Sequence, residues 1–351
     1  MARILVLTSH PPLAQGGHLV IARALVEALK QYGHEAELVM TPQNRFGRQM
    51  SAYLATRLSD VGLSFDGRAI DQVISLRYPS YAVRHPVHTP WLNHRMREYY
   101  DLWEGMVATL SPGARIKERV RRGLIHAIDY RLLTGVTKLF VQSKTIQARL
   151  ARSGLPAEVL YPPAPQRPYA CDEYGDYLFA VSRLTVHKRM HLVVRALAEP
   201  TAAGIRCVIA GDGEEMQNLR RLAVDLGVDG RVTLLGRIDD QTLVKCFATC
   251  RAVVFPPYHE DYGLVTMEAF TSGKAVITCT DSGGPPELVG DGVQGFVCDP
   301  TAPALASAMA AVMHDREGAM AMGDAARARA ATISWPDTIQ RLLAVSRSGT
   351  S

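Results

Sequence analysis

The stretch Cys250–Phe270, C-R-A-V-V-F-P-P-Y-H-E-D-Y-G-L-V-T-M-E-A-F, constrains the chain more than any other. Ala252–Phe255 is a short apolar, β-branched run stopped by Pro256 and Pro257, which predicts a buried parallel strand ending in a forced loop. Polar residues Tyr258–Tyr262 follow, and Gly263 then opens an apolar-rich segment, Leu264–Phe270, that predicts a helix. Strand, loop and helix N-terminus therefore lie in series. A parallel sheet binds ligands at the carboxyl ends of its strands, and a helix N-terminus offers free N–H groups to an anion, which Gly263 would let approach closely. Two carboxylates bracket the turn, Glu260 in the loop and Glu268 more than one turn inside the helix. Singly, Glu260 reads as a solvated loop acid and Glu268 as a helix-surface charge. Together, around this turn, they read as a ligand site in which Glu260 faces the reacting end and Glu268 reaches hydroxyls further along.

The same alternation runs through the chain. Ala2–Thr8 predicts a buried strand, Ser9–His18 a loop, and Leu19, Ile21, Ala22, Leu25, Val26 and Leu29 a helix ending at Gly33. His34–Met40 closes a βαβ unit. A helical run over Met50–Leu63 and strands over Asp71–Leu76, Val87–Leu92, Lys138–Gln142 and Glu158–Tyr161 follow. The proline run Pro162, Pro163, Pro165, Pro168 predicts a linker, after which strands over Asp176–Val181, Arg206–Ala210, Arg231–Leu235, Arg251–Phe255 and Ala275–Cys279 alternate with helices. The expected class is α/β, with two doubly wound parallel-sheet, Rossmann-like domains facing across a cleft. The expected divisions are 1–165, 166–325 and a C-terminal helical segment 326–351 that packs back on the first domain.

Composition narrows the function. A net charge of +5, spread along 351 residues, does not favour a nucleic-acid partner. Six cysteines without C-x-x-C spacing read as small core residues in a reducing cytosol rather than a zinc site or a disulfide framework. No stretch approaches the length of a membrane span, so a soluble, cytoplasmic protein is expected. Arg115–Arg131 is the most basic segment, with Ile116, Val120, Leu124, Ile125, Ile128 and Leu132 forming a helical stripe through it. The favoured reading is a helix with its apolar face on the core and a solvated basic face. The sharper one is contact with anionic lipid at the inner membrane face, or with an acidic acceptor. A nicotinamide dehydrogenase is disfavoured because no complete G-x-G-x-x-G follows either first strand.

Arg183 and Lys188 leave one strand end in a loop that becomes a helix. A diphosphate calls for this pair, a planar guanidinium for bidentate contact and an ammonium as a point charge. Cations at a helix N-terminus also oppose the macrodipole, which a bound anion would offset. Gly211 and Gly213 would let a ligand's base lie flat on the backbone, and Gly236-Arg237-Ile238 could contact the base edge. Gly16-Gly17 fits a small anion or sugar, or simply a tight turn. His94 ends a strand on the same sheet edge as Gly16 and Gly17, where a histidine is either a structural residue or a site residue.

Taken together, these residues resemble the family 4 glycosyltransferases of the GT-B fold. The resemblance rests on Gly16-Gly17, Ser182-Arg183-Leu184 with Lys188-Arg189, Gly211-x-Gly213-Glu214, Glu260 and Glu268 in an E-x7-E arrangement, and Asp281-Ser282-Gly283-Gly284-Pro285-x-Glu287. It implies retaining transfer from a nucleotide sugar to a hydroxyl of a saccharide, lipid-linked glycan or small metabolite, with no metal and no cofactor. Arg183 and Lys188 would hold the diphosphate with the Gly263 and Leu264 amides, Glu268 the ribose, Glu260 and His94 the sugar, and Gly16-Gly17 sugar or phosphate. Ser334-Trp335 and the helix after it resemble the family's C-terminal helix, which crosses back onto the first domain. The competing readings are a GT-B nucleotide-sugar epimerase or phosphorolytic enzyme, and a nucleotide-sugar-binding protein with a dead site.

Overall fold

A computed structural model of the chain describes residues 1–10, 16–43 and 47–344. Residues 11–15 of the loop expected over Ser9–His18, with Pro11 and Pro12, and residues 345–351 lie outside them. The chain divides into two compact units, residues 1–162 with the segment from Trp335 onward, and Pro163–Ser334.

In the first unit the described strands are β1 (Arg3–His10), β2 (Glu35–Pro42), β3 (Gln72–Arg77), β4 (His88–His94), β5 (Phe140–Val141) and β6 (Glu158–Val159). They form one sheet in the order β2-β1-β3-β4-β5-β6, with every pairing parallel. Helices α1 (Gly17–Gln31), α2 (Gln49–Arg57), α3 (Trp103–Ala108), α4 (Pro112–Thr134) and α5 (Lys144–Ala151) accompany it. β3 is buried along its whole length, as a parallel strand covered on both faces must be. The strand order reverses beside β1, so successive connections leave from opposite sides of the sheet and open a crevice at the carboxyl edge. His10 ends β1 and His94 ends β4 on that edge.

Two sequence expectations are corrected here. The helix expected over Met50–Leu63 stops at Arg57, because the Gly62 N–H turns back onto the Asp60 carboxylate and Val61 drops into the core. The apolar stripe of the basic helix faces the core only in part. Ile116, Val120 and Leu124 are 66%, 64% and 52% exposed, while the buried positions of α4 are Glu118, Ile125, Asp129 and Leu133. Buried polar partners explain the inversion: Glu118 accepts from the Tyr99 hydroxyl and pairs with Arg121, and Asp129 accepts from the hydroxyls of Tyr53, Tyr81 and Tyr100. A satisfied polar network holds the inward face that an apolar stripe would otherwise take.

The second unit carries β7 (Leu178–Val181), β8 (Cys207–Ala210), β9 (Val232–Gly236), β10 (Ala252–Val254), β11 (Val276–Cys279) and β12 (Gly295–Cys298). The order is β12-β11-β10-β7-β8-β9, again all parallel. β12 escaped sequence reading because it is four residues long and begins at a glycine. The helices are α6 (Met190–Leu197), α7 (Met216–Asp225), α8 (Asp240–Thr249), α9 (Leu264–Thr271), α10 (Pro285–Leu288), α11 (Ala302–His314) and α12 (Arg316–Ala331). α12 runs unbroken across residues 325 and 326, where a division was expected. β7 and β10 are neighbours, and the chain leaves them in opposite directions, toward β8 and toward β11. The crevice of this sheet therefore lies between the carboxyl ends of β7 and β10, the strands that precede Arg183 and Glu260.

The last described helix, α13 (Trp335–Leu343), belongs to the first unit. It buries Trp335, Ile339 and Leu342, its Leu342 carbonyl accepts from Gln72 Nε2 at 2.8 Å, and Arg341 pairs with Glu158. Among the described residues, no helix is long and apolar enough to cross a membrane.

Candidate functional site

The loops after β7, β10 and β11 are knitted together by their backbones. Tyr258 N–H donates to the His187 carbonyl at 2.8 Å, His259 N–H to Asp281 at 3.1 Å and Glu260 N–H to Ser282 at 2.9 Å, and Gly284 N–H returns to Glu260 at 3.0 Å. Glu260 and Gly283 thereby form an isolated parallel bridge, which continues the sheet's pairing past the strand ends. Glu260 is thus fixed at its backbone rather than carried on a free loop.

Lys188 and Glu260 meet across the switch point as an ion pair, with side chains 15% and 25% exposed. Lys188 also stands 5.5 Å from the centre of the Phe255 ring. The next residue, Arg189, has a different position. Its backbone is left-handed, φ 52°, and its guanidinium binds both Asp281 oxygens at 2.6 and 2.8 Å and the carbonyls of Pro256 and Pro257 at 2.8 and 2.7 Å. Each of these two cations at the start of α6 therefore already has a carboxylate to offset the macrodipole, and that part of the sequence argument for a bound anion is not needed. Arg183 differs: it is exposed, and its guanidinium has no hydrogen-bond or ion-pair partner among the described residues.

Glu268 is 6% exposed, so it is not a helix-surface charge. Its Oε1 receives Arg167 Nη1 at 2.5 Å and the Tyr169 hydroxyl at 2.9 Å, and Arg167 reaches on to Asp240 at 3.0 Å. Burial pushes the Glu268 carboxyl above its ordinary range, against the opposing pull of Arg167 and Tyr169. Sequence reasoning missed Arg167 and Tyr169 because they sit in what reads as a proline linker. It quoted Arg189 and Asp281 without a role, since nothing local indicates that residues 92 positions apart will pair.

The glycines of the site divide by cause. Gly263 caps α9 with φ 83°, and a Cβ there would meet Pro285 Cγ at 2.7 Å and Phe255 at 3.0 Å. Gly211 and Gly213 have φ 129° and 155°, and their missing Cβ positions lie 1.7 Å from the Ser182 carbonyl oxygen and 2.4 Å from that of Leu184. The backbone that carries Arg183 therefore leans directly on these two glycines. Gly211→Ala is expected to destabilise the protein by more than about 2 kcal/mol in denaturant unfolding; an unchanged midpoint would contradict that packing. Arg237 and Ile238 follow β9, exposed and half-buried, with Leu264 as the first residue of α9.

In the first unit, Gly16 is extended at φ −175° and Gly17 is the first helical residue, so neither adopts the left-handed backbone that a turn requiring glycine would show. A Cβ on Gly17 would meet nothing within 4 Å. His94 Nδ1 lies 2.5 Å from the Arg95 carbonyl. A carbonyl only accepts, so Nδ1 holds the proton and Nε2 is left as an acceptor. Burial, helped by Arg77, pulls the imidazole down to about 3, so the ring is neutral near pH 7. Beside it, a cavity of about 440 Å³ is lined by Arg95, Arg122, His126, Arg149 and Arg152, and it shares Arg95, Tyr100, Asp101 and Arg149 with the small cavity that His94 lines. Among the described residues, no group of three or more His, Cys, Asp or Glu side chains could hold a metal ion.

The D-inositol 3-phosphate glycosyltransferase of Mycolicibacterium paratuberculosis is 36% identical over 179 residues, covering 48% of this chain and 39% of that protein. The enzyme of the same name from Corynebacterium efficiens is 32% identical over 171 residues, covering 46% and 40%. The chain thus spans about two fifths of the length of the curated relatives it matches. Among solved structures, Anabaena Alr3699/HepE in complex with UDP and glucose superposes with a TM-score of 0.69 at 18% identity, covering 99% of this chain and 100% of that one. Sucrose-phosphate synthase from Thermosynechococcus elongatus gives 0.74 at 17% identity, covering 99% and 98%. The fold is the GT-B architecture that these structures share. Residues 167–329, nearly the whole of the second unit, match the family described as glycosyl transferases group 1.

Proposed function

We propose that the protein is a retaining glycosyltransferase that moves a sugar from a nucleotide-diphosphate donor to an acceptor hydroxyl, without a metal. The observation that carries this reading is the pairing of Lys188 with Glu260 at the switch point of a unit that matches glycosyl transferases group 1, with the unpartnered Arg183 on the same loop. Breaking the bond between the anomeric carbon and the phosphate oxygen sends its electron pair onto the diphosphate. Arg183, Lys188 and the Gly263 and Leu264 amides meet that charge. The acceptor oxygen attacks from the face the leaving group vacates, and its proton passes to a diphosphate oxygen, so configuration is kept without an enzyme nucleophile. The engagement of Glu260 by Lys188 supports this route over a covalent glycosyl-enzyme.

Glu268 receives the ribose hydroxyls, with Arg167 and Tyr169 orienting its carboxylate. Gly213, Arg237 and Ile238 border the base, Gly16 and Gly17 let sugar or phosphate approach the backbone, and His94 Nε2 accepts from a sugar hydroxyl. The curated relatives act, by their names, on D-inositol 3-phosphate. Together with the cation-lined cavity beside His94, this supports an acceptor that carries an anionic group.

The test is turnover across UDP-, GDP-, ADP- and TDP-sugars with anionic and neutral acceptors, followed by the anomeric configuration of the product. Acceptor-dependent release of nucleoside diphosphate with retained configuration is the expected result. Epimerisation without acceptor, tight nucleotide binding without turnover, or an inverted product would sink the proposal. Glu268→Gln is expected to raise the donor KM by about tenfold or more, the loss of one charged hydrogen bond. A change confined to kcat would remove Glu268 from the ribose.

A further inference from the structure

At the opposite edge of the first unit's sheet, Arg57 at the end of α2, Arg84 before β4 and Arg131 near the end of α4 line one cavity of about 470 Å³. His88, the first residue of β4, lines it too, and His94 at the other end of that strand lies about 20 Å away at the usual rise per residue. No Asp or Glu is among the lining residues. Arg57 donates only to the Ala82 carbonyl at 3.4 Å, and the guanidinia of Arg84 and Arg131 have no hydrogen-bond or ion-pair partner among the described residues. Asp129 is enclosed beneath the hydroxyls of Tyr53, Tyr81 and Tyr100, and no ion pair joins it to any of the three arginines. Three of the four arginines of the cavity beside His94 are engaged: Arg95 reaches the Ser153 hydroxyl, Arg122 the Tyr99 carbonyl and Arg149 the Asp101 carboxylate, leaving Arg152. In the edge cavity the like charges face one another, and Arg84 and Arg131 both lower the affinity of Arg57 for its proton, after the effect of burial. Arg84 and Arg131 are kept apart from any counter-charge by solvent rather than by the protein, so the three cations present a positive surface that an anion would join.

The same three arginines also border a second, apolar trough of about 440 Å³ between α2 and α4, lined by Met50, Tyr53, Leu54, Ile128 and Leu132. Leu54 is 59% exposed there. Ile128 and Leu132 continue the four-residue series begun by the outward-facing Ile116, Val120 and Leu124. A cation triad at the mouth of an apolar trough is complementary to one kind of ligand. We infer that this edge of the first unit binds an anionic amphiphile, its phosphate monoester held by Arg57, Arg84 and Arg131 and its alkyl chain laid along Leu54, Ile128 and Leu132. The inference is independent of the transferase reading, because none of these residues belongs to that site.

The test is titration of the full chain with octyl phosphate, inorganic phosphate and octanol. Octyl phosphate is expected to bind at least ~10-fold more tightly than inorganic phosphate. Arg84→Gln and Arg131→Gln, both at exposed positions, should each weaken it by about tenfold. Leu54→Asn should remove the advantage of the alkyl chain while leaving inorganic phosphate unchanged, and Lys188→Ala should leave the advantage of octyl phosphate over inorganic phosphate in place. Binding of inorganic phosphate as tight as octyl phosphate, binding indifferent to the arginine substitutions, or loss of octyl phosphate binding with Lys188→Ala would each overturn the inference.

Discussion

Lys188→Ala is expected to lower turnover by ~10²–10³-fold, the usual effect of removing one donor from a developing oxyanion, while shifting stability by only about 1 kcal/mol. The asymmetry follows from its surroundings. Lys188 has one ionic partner, Glu260, where Arg189 holds a carboxylate and two carbonyls, so the folded state loses less when the Lys188 pair is broken. On the proposed mechanism, the transition state would lose the charge that faces the departing diphosphate. The ammonium is held by Glu260, and on the proposed mechanism it would meet the diphosphate while still paired with that carboxylate. Steady-state kinetics with a thermal melt of the same preparation decide the matter. Equal losses of stability and activity would make Lys188 structural and undo the mechanism.

The adjacent cation should behave in the opposite way. Arg189→Ala is expected to destabilise the protein by about 3 kcal/mol, read as a lower denaturant midpoint, because Asp281 loses its bidentate partner and the Pro256 and Pro257 carbonyls lose their donor. Alanine also inherits the left-handed backbone at φ 52° without compensation. Arg189→Gly relieves that backbone and should recover part of the loss. Arg189→Lys keeps the charge but cannot span a carboxylate and two carbonyls, and should recover less than half. If Arg189→Ala left the midpoint unchanged and abolished turnover, the two arginine and lysine roles would have to be exchanged.

The contrast between these neighbours marks what the sequence makes legible. The run of strands, loops and helices around Ala252–Phe255 and Leu264–Phe270 is local information, and the structure has β10 and α9 there. The placement of Arg183 and Glu260 at one sheet edge also follows, since both succeed short apolar runs that must be parallel strands. Partner choice is not local. Lys188 and Arg189 are adjacent cations in the chain, yet one meets Glu260 and the other Asp281, because the twist of the loop at a left-handed residue separates them. Arg167 and Tyr169 were hidden for the same reason: their function depends on Glu268, 101 and 99 positions away. α4 misled differently. Its apolar periodicity was real, but three tyrosine hydroxyls and a carboxylate outweighed it, and no periodicity rule weighs a buried network against a stripe.

The return of α13 to the first unit has a consequence for how the protein is made. The second unit, Pro163–Ser334, is continuous in sequence and can fold while synthesis is under way. The first unit emerges earlier yet waits longest: the buried faces of Trp335, Ile339 and Leu342, and the carbonyl that Gln72 requires, arrive only after residue 334 has been made. Until then it carries an open apolar seat, and the Gln72 amide keeps Thr89 but lacks the second of its two acceptors, an exposed apolar surface of the kind that makes incomplete chains prone to association.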